Sequence, residues 1–216
     1  MKQYETYIFD LDGTLLSTLE DLAASTNYAL RTHSLPEHSV NDVRMFVGNG
    51  VRKLIERAVP GGEENPKFED VLTTFRSHYM EHSLDTTKPY PGVMEMLREL
   101  KSRGKHIAVV SNKFHAATKE LCRHFFGNLV EVAVGESSNV RKKPAPDTVE
   151  EVLKLLNVSR NSAVYIGDSD VDIDTARNSR MECISVLWGF RDKAFLVSHG
   201  ATTFISSPSE LFENWT

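Results

Sequence analysis

The stretch Thr6-Tyr7-Ile8-Phe9-Asp10-Leu11-Asp12-Gly13-Thr14, near the start of the 216-residue chain, decides the fold class. Its first four residues are β-branched or aromatic, which predicts a buried strand, and the polar residues after them predict a turn. Side chains two residues apart in a strand face the same way, so we expect Asp10 and Asp12 to share one pocket. Two adjacent carboxylates need a cation or a proton between them. A solvated Asp-rich turn would show the same local pattern.

Strands and helices alternate outward from this stretch, except in one helical segment. From about Thr18 to Thr87 the apolar residues recur at helical spacing, which predicts a helical insertion. Beyond it, strands are predicted at 106–110, 130–134, 163–166, 183–187 and 202–205. Helices are predicted at 116–126, at Asp147 with Glu150 in a capping box, from about Asp172, and after Pro208. The pattern predicts an α/β fold, a doubly wound parallel sheet of residues 1–15 and 89–216 with an inserted α-helical domain of residues 16–88.

Polar clusters follow the predicted strands, where a parallel sheet places its ligand site. Ser111-Asn112-Lys113 is predicted to enter a helix, a position that suits an anion or an ordinary N-cap serine. Lys143 stands among prolines that would hold it in place, although a basic loop on the surface would show the same sequence pattern. Asp168 ends a strand, and Asp172 opens the next helix and could point back to it. Several carboxylates with no His or Cys favour Mg²⁺ over Zn²⁺.

Composition excludes some classes of function. The chain has 25 Lys and Arg against 30 Asp and Glu, a formal charge of −5 that argues against a nucleic-acid-binding protein. No run approaches the roughly 18 apolar residues of a membrane helix. Cys122 and Cys183 have no metal-ligand spacing, so free thiols are expected. With no secretory signal to read at the first residues, a cytoplasmic location is expected.

The four clusters occur in a recognisable order. With Asp10-x-Asp12-Gly13-Thr14, Ser111-Asn112, Lys143-Pro144 and Gly167-Asp168-x-x-x-Asp172, the sequence resembles the haloacid dehalogenase (HAD) superfamily of phosphohydrolases. The resemblance runs from Phe9 to about Arg177. It implies a Rossmann-like HAD core with a helical cap inserted after the first motif. Asp21-Leu22-Ala23 and Gly48-Asn49-Gly50-Val51 look most like the phosphoglycolate phosphatase branch.

The resemblance implies a Mg²⁺-dependent phosphatase that acts on a small phosphorylated metabolite, with phosphoglycolate as the best single candidate. Asp10 would be the nucleophile that forms an aspartyl-phosphate. Asp12 would be the general acid and then the general base. Mg²⁺ would be held by the Asp10 carboxylate, the Asp12 backbone carbonyl and Asp168. Asp172 would bind it directly or through water.

The same resemblance assigns substrate contacts to both domains. On the core, Ser111, the Asn112 amide and Lys143 would hold the transferring phosphoryl oxygens, and Thr14 would also contact substrate. The cap would exclude bulk water and contact the leaving group. The cap residues expected to bind substrate lie in one segment: Gly48, Asn49, Gly50 and Arg52. A tight turn between two helices, with Arg52 in solvent, would give the same segment.

Other activities remain open at this stage. A β-phosphoglucomutase-like phosphomutase would return the phosphoryl group to a sugar, and related hydrolases act on sugar phosphates, nucleotides or pyrophosphate. A dehalogenase would not need the metal carboxylates, and a phosphonoacetaldehyde hydrolase would need a cap lysine such as Lys53. A non-catalytic phospho-acceptor module is a further alternative, against which Asp12 argues. The expected partner is a small metabolite, with no nucleic acid or membrane, for a monomer or homodimer.

Overall fold

The computed structural model describes residues 2–137 and 140–213, and this part of the chain contains a six-stranded sheet. The strands in chain order are β1 (Thr6–Phe9), β2 (Leu16–Ser17), β3 (Lys88–Pro89), β4 (His106–Phe114), β5 (Val132–Glu136), β6 (Ala163–Gly167), β7 (Glu182–Val186) and β8 (Phe204–Ile205). The helices are α1 (Leu19–Thr32), α2 (Val40–Phe46), α3 (Val51–Ala58), α4 (Phe68–His82), α5 (Val93–Ser102), α6 (His115–Phe126), α7 (Asp147–Leu156), α8 (Asp170–Asn178) and α9 (Lys193–Ser198).

The sheet is parallel, with the order β5-β4-β1-β6-β7-β8. The chain leaves β1, continues outward through β4 and β5, and then returns to the other side of β1 at β6. This reversal makes β1 the switch point of a doubly wound sheet, where ligands bind beyond the carboxyl ends of the strands. The predicted fold class is confirmed.

Side chains alternate between two apolar layers that cover the sheet, as a doubly covered parallel sheet requires. Tyr7 and Phe9 face one layer together with Leu97 of α5 and Leu121 of α6. Ile8 faces the other layer, whose buried members include Val110, Tyr165, Val149 and Val152. Both layers hold β1 rigidly, which fixes the position of the residue that follows it.

The Cα positions divide into two compact units, a sheet unit of Met1–Leu16 and Pro89–Thr216 and a helical unit of Ser17–Lys88. In the helical unit, α1 packs against α4, and the buried side chains include Leu22 and Leu30 of α1 and Phe75 of α4. Strands β2 and β3 form a separate two-stranded sheet. None of the described helices is long and apolar enough to cross a membrane.

Four details of the sequence-based assignment were wrong. β4 continues to Phe114, so the Ser111 segment lies on a strand and not at a helix start. The capping box at Asp147 does not form, because Pro146 is the N-cap and the Asp147 carboxylate accepts hydrogen bonds from Arg141 at 2.8 and 3.0 Å. The helix after Pro208 is a 3₁₀ helix (Pro208–Phe212), and α9 was missed because it is short.

Candidate active site

Three carboxylates meet beyond the carboxyl end of β1. Phe9 is in register with Ile166 of β6, so β1 and β6 end at nearly the same level, and Asp10 and Asp168 are the residues that directly follow them. Asp172, in the first turn of α8, is turned back toward them because its Oδ2 accepts hydrogen bonds from the Asp168 and Ser169 backbone N–H groups at 3.2 and 3.1 Å. The Ser169 hydroxyl donates to the same oxygen at 2.6 Å.

Asp10, Asp168 and Asp172 can each offer an oxygen such that the three atoms lie within 4.8 Å of one another. All three residues are buried. Burial raises the pKa of Asp10 well above its ordinary value, and Asp172 and Asp168 add to the shift against the opposing charge of Lys143. Burial, reinforced by Asp172, raises the pKa of Asp168 to about 7. The protein therefore holds these anions together at an electrostatic cost.

Lys143 offsets part of that cost from within the cluster. Its Nζ donates to Asp10 Oδ1 at 2.6 Å and to Asp172 Oδ1 at 2.8 Å, and its side chain is 3% exposed. The Tyr165 hydroxyl lies 3.2 Å from the same Nζ and donates to Asp172 Oδ1 at 3.0 Å. Burial works against the lysine charge, but the Asp10 and Asp172 carboxylates raise the pKa of Lys143. Lys143 is therefore a fixed cation beside the Asp10 carboxylate.

Asp168 is oriented by donors from two other strand ends. The Thr14 hydroxyl donates to its Oδ1 at 3.0 Å, and the Phe190 backbone N–H donates to its Oδ2 at 2.7 Å. Gly13, with φ +91°, and Gly189 allow this approach, since a Cβ on either residue would overlap the Asp168 side chain. Thr14 was predicted to bind substrate. It is fully buried and its hydroxyl contacts Asp168, a candidate metal ligand, and its contact with a substrate stays a prediction.

Asp12 faces a second lysine. Lys113 Nζ lies 3.1 Å from Asp12 Oδ1, and the two side chains are 4% and 20% exposed. Ser111 is buried, and its hydroxyl accepts a hydrogen bond from the Lys113 backbone N–H at 3.1 Å. Asn112 Nδ2 donates to the Lys143 carbonyl oxygen at 3.0 Å, so it ties β4 to the lysine segment. The predicted core residues thus lie in one region of the sheet unit, around Asp10.

Arg52, predicted to bind substrate, lies on α3 of the helical unit. Its Nε contacts Glu63 Oε1 at 2.8 Å, and its Nη2 contacts Glu69 Oε1 at 2.8 Å. Its guanidinium carbon also stands 4.8 Å from the centroid of the Phe68 ring. The hydrogen bonds to Glu69 and Glu63 raise the pKa of Arg52. The guanidinium is thus paired within its own unit, and its contact with a substrate stays a prediction.

The remaining predicted cap residues form the connection between α2 and α3. Gly48 and Gly50 have φ values of +119° and +86°, which glycine adopts without strain. Asn49 Oδ1 accepts a hydrogen bond from Arg57 Nη2 at 2.8 Å. These features explain the sequence of a tight turn, and binding of substrate by Gly48, Asn49 and Gly50 stays a prediction.

Sequence reasoning missed several residues that shape the site. Tyr165 lies in a predicted strand and was given no role, because nothing in a strand pattern marks which tyrosine hydroxyl reaches a carboxylate. Lys113 was noticed in its cluster but given no role. The segment after β7 was overlooked, although it follows a strand at the same edge; there the Trp188 Nε1–H donates to the Thr14 carbonyl oxygen at 2.9 Å. Inspection of every strand end would have found Trp188 and Phe190.

The donor set fits Mg²⁺. Asp10, Asp12, Asp168 and Asp172 carry four formal negative charges when ionised, and Lys143 with Lys113 contributes two positive charges. The balance of −2 matches one divalent cation, and a set made of carboxylate oxygens suits a hard ion. From the described part of the chain, Asp172 accepts five hydrogen bonds, two at Oδ1 and three at Oδ2, whereas Asp168 accepts one at each oxygen. Asp10 and Asp168 therefore have more acceptor positions left with which to bind an ion directly.

Comparisons with known proteins agree with this geometry. Residues 7–186 match the family model of haloacid dehalogenase-like hydrolases. The chain is 34% identical over 185 residues to a phosphoglycolate phosphatase of Aquifex aeolicus, covering 85% of this chain and 84% of that one. It is 30% identical over 213 residues to one of Pseudomonas putida, covering 96% and 75%.

A solved structure from Lactobacillus delbrueckii subsp. bulgaricus, provisionally named a phosphoglycolate phosphatase, superposes with a TM-score of 0.94. It is 37% identical, with 98% of each chain covered. A Haemophilus somnus protein, predicted to be a phosphoglycolate phosphatase, gives a TM-score of 0.90 at 27% identity, covering 99% of this chain and 98% of that one. The chain therefore belongs to the haloacid dehalogenase-like hydrolase family and is a phosphatase-type enzyme within it.

Proposed function

We propose that the protein is a Mg²⁺-dependent phosphomonoesterase that hydrolyses phosphoglycolate through a phosphorylated Asp10. The observation that carries this proposal is the position of Asp10, which follows the central strand and lies against Lys143 and two further buried carboxylates. The relatives named phosphoglycolate phosphatase supply the candidate substrate. A nucleophile at the switch point of the sheet also agrees with where such folds bind their ligands.

In the first step, an Asp10 carboxylate oxygen attacks phosphorus, and the bond from phosphorus to the ester oxygen breaks. Asp12 donates a proton to that oxygen, so the alcohol leaves neutral at the reacting atom. Asp12 suits this role because it lies two residues from Asp10 and its side chain is the more exposed of the two, at 20% against 10%. The products of the step are the free alcohol and an aspartyl-phosphate.

In the second step, water attacks the phosphorus of the aspartyl-phosphate and Asp12 accepts its proton. The bond from phosphorus to the Asp10 oxygen breaks, which restores the carboxylate and releases inorganic phosphate. Lys143 stays beside Asp10 and stabilises the negative charge of the phosphoryl oxygens in both steps. Ser111, close to the same edge, is proposed to donate its hydroxyl to those oxygens.

Asp10, the Asp12 carbonyl oxygen and Asp168 are proposed to hold Mg²⁺. Bound there, the ion would neutralise carboxylate charge and polarise the phosphoryl oxygens. Asp172 is proposed to act through water and, above all, to hold Lys143 through its Oδ1. Thr14 and the Phe190 N–H keep the Asp168 carboxylate oriented, as partners of metal ligands commonly do.

The test is release of inorganic phosphate from phosphoglycolate by the purified protein with Mg²⁺, alongside sugar phosphates, nucleotides and pyrophosphate. We expect turnover that requires the metal, and a phosphoryl adduct on the peptide containing Asp10 after acid quenching. Turnover in excess EDTA would contradict the mechanism. Isomerisation of a sugar phosphate without net release of phosphate would instead establish the phosphomutase alternative.

A further inference from the structure

Two buried lysines flank the candidate site, and they lie beside different reacting groups. Lys143 contacts Asp10, the proposed nucleophile, and Asp172. Lys113 contacts Asp12, the proposed proton donor to the leaving group. Resting on the proposed function, we propose that Lys113 is a specificity-determining residue that selects a leaving group with a carboxylate one carbon from the ester oxygen.

The first support is the burial of Lys113 near the end of β4. It lies beyond Val109, the last residue of β4 that pairs with β1, and its side chain is 4% exposed. A buried ammonium is costly unless anions surround it. The lysine is therefore held in place at the carboxyl-terminal edge of the sheet and is suited to recognise a charged group.

The second support is distance. Asp12 must approach the ester oxygen to hydrogen-bond distance, roughly 2.6–3.2 Å, in order to protonate it. Because Lys113 Nζ is 3.1 Å from Asp12 Oδ1, it lies within about 6 Å of that ester oxygen. In phosphoglycolate one methylene separates the ester oxygen from the carboxylate. A carboxylate oxygen can therefore come within hydrogen-bond distance of Lys113 Nζ.

The third support is the chemistry of discrimination. A buried polar group that loses its substrate partner disfavours the analogue that lacks it, so a fixed cation selects against neutral leaving groups. Lys143 cannot perform this selection, because its contacts place it beside Asp10, where every phosphate monoester presents the same phosphoryl group. Lys113 thus distinguishes one ester from another, and Lys143 does not.

The experiment compares kcat/KM for phosphoglycolate and for 2-hydroxyethyl phosphate, in which a neutral CH₂OH replaces the carboxylate. The variants are Lys113→Met, Lys113→Gln and Lys113→Arg, with exposed Lys119→Met of α6 as the matched control. We expect the preference for phosphoglycolate to fall about 10- to 100-fold in the Met and Gln variants, the value of a charge-assisted hydrogen bond. The Arg variant should retain more of the preference, and Lys119→Met all of it.

The ratio of the two kcat/KM values separates selection from a general effect on Asp12. If both esters lose activity equally in whichever of the Met and Gln variants folds, Lys113 acts through Asp12 alone and the proposal is overturned. A wild-type enzyme that hydrolyses both esters equally well also overturns it and leaves the phosphatase assignment intact. If neither ester is hydrolysed with Mg²⁺, the proposed function itself fails and this inference fails with it.

Discussion

A buried carboxylate in the helical unit and the cluster of buried carboxylates in the sheet unit are stabilised in opposite ways. In the helical unit, Asp21 is 2% exposed and accepts hydrogen bonds from the backbone N–H and hydroxyl groups of Thr86 and Thr87, at 2.6 to 3.2 Å. Burial works to raise its pKa, but these donors lower the pKa of Asp21 below its ordinary value. In the sheet unit, burial and neighbouring carboxylates raise the pKa of Asp10 and of Asp168.

The difference teaches how to separate a structural carboxylate from a functional one. The chain itself supplies the donors that Asp21 needs, and the result is a joint between the start of α1 and the residues before β3. At the sheet edge the chain crowds anions together and offsets them only in part with lysines. Such a cluster is suited to a ligand that brings positive charge, and perturbed pKa values of this kind are typical of active sites.

The largest expected effect comes from removing Asp10, the proposed nucleophile. Asp10→Asn should lower kcat for phosphoglycolate by at least about 10⁴-fold, because loss of a covalent nucleophile removes the reaction path and not just one contact. Stability should change little, since the substitution also removes a buried charge from a repulsive cluster. Phosphate release and thermal unfolding, measured on the same preparation, test both statements.

A comparison with Asp12→Asn separates the role of Asp10 from that of Asp12. Asp12→Asn should also lower kcat, but the acid-quenched phosphoryl adduct should still form with an ester whose leaving group needs no protonation, such as a nitrophenyl phosphate. A variant Asp10→Asn with activity within tenfold of the wild type would remove Asp10 from the mechanism.

The second effect is the pH dependence of stability, which has opposite signs for Asp168 and for Asp21. In EDTA, the unfolded chain loses the Asp168 proton near its ordinary pKa of 3.8, whereas the folded protein retains it to about 7. The folded state therefore binds more protons between these values, and the metal-free protein should lose stability as pH rises from 4 to 7. A shift of this size corresponds to at most about 4 kcal/mol.

Thermal unfolding in EDTA at pH 5 and pH 7.5 measures this dependence. Asp168→Asn should reduce it, and Mg²⁺ should stabilise the wild type at pH 7.5 by about 2.7 kcal/mol at one hundred times its dissociation constant. Mg²⁺ should not stabilise Asp168→Asn to the same extent. Equal stabilisation of both proteins would place the metal elsewhere.

The third effect concerns Asp21. Asp21→Ala leaves the buried donors of Thr86 and Thr87 without their acceptor, so it should lower the free energy of unfolding by about 3 kcal/mol in urea denaturation. Because the folded pKa is lowered, this contribution is complete above the unfolded value of 3.8 and disappears as pH falls through the folded pKa. A difference between wild type and variant that shrank instead toward neutral pH would contradict the assignment.

The sequence was sufficient for the order of the elements because that information is local. β-branched and aromatic runs such as Thr6–Phe9 and Ala163–Gly167 form strands wherever they are buried on both faces. The short elements were less predictable. α9 has six residues, too few for a periodic pattern, and the helix expected after Pro208 is a 3₁₀ helix. Tertiary contacts decide such pieces.

The site was predictable to the extent that strand ends determine it. Asp10 and Asp168 were expected together because neighbouring parallel strands end at one edge, and the structure places them there. The individual partners were not predictable. The hydroxyl of Thr14 could face a substrate or a carboxylate, and the guanidinium of Arg52 could extend to solvent or pair with Glu63 and Glu69, since these choices depend on distances that no spacing reveals.

The smallest effect is expected at an exposed counterpart of the Asp21 joint, the capping box at the start of α2. The Ser39 hydroxyl oxygen accepts a hydrogen bond from the Asp42 backbone N–H at 3.1 Å, and the Asp42 carboxylate accepts one from the Ser39 backbone N–H at 3.0 Å. Water can replace the Ser39 hydroxyl, so Ser39→Ala should cost about 1 kcal/mol in urea denaturation. If Ser39→Ala proved as destabilising as Asp21→Ala, burial would not explain why Asp21 contributes strongly to stability. The contrast between Asp21 and the carboxylate cluster of the sheet unit would then rest on charge alone.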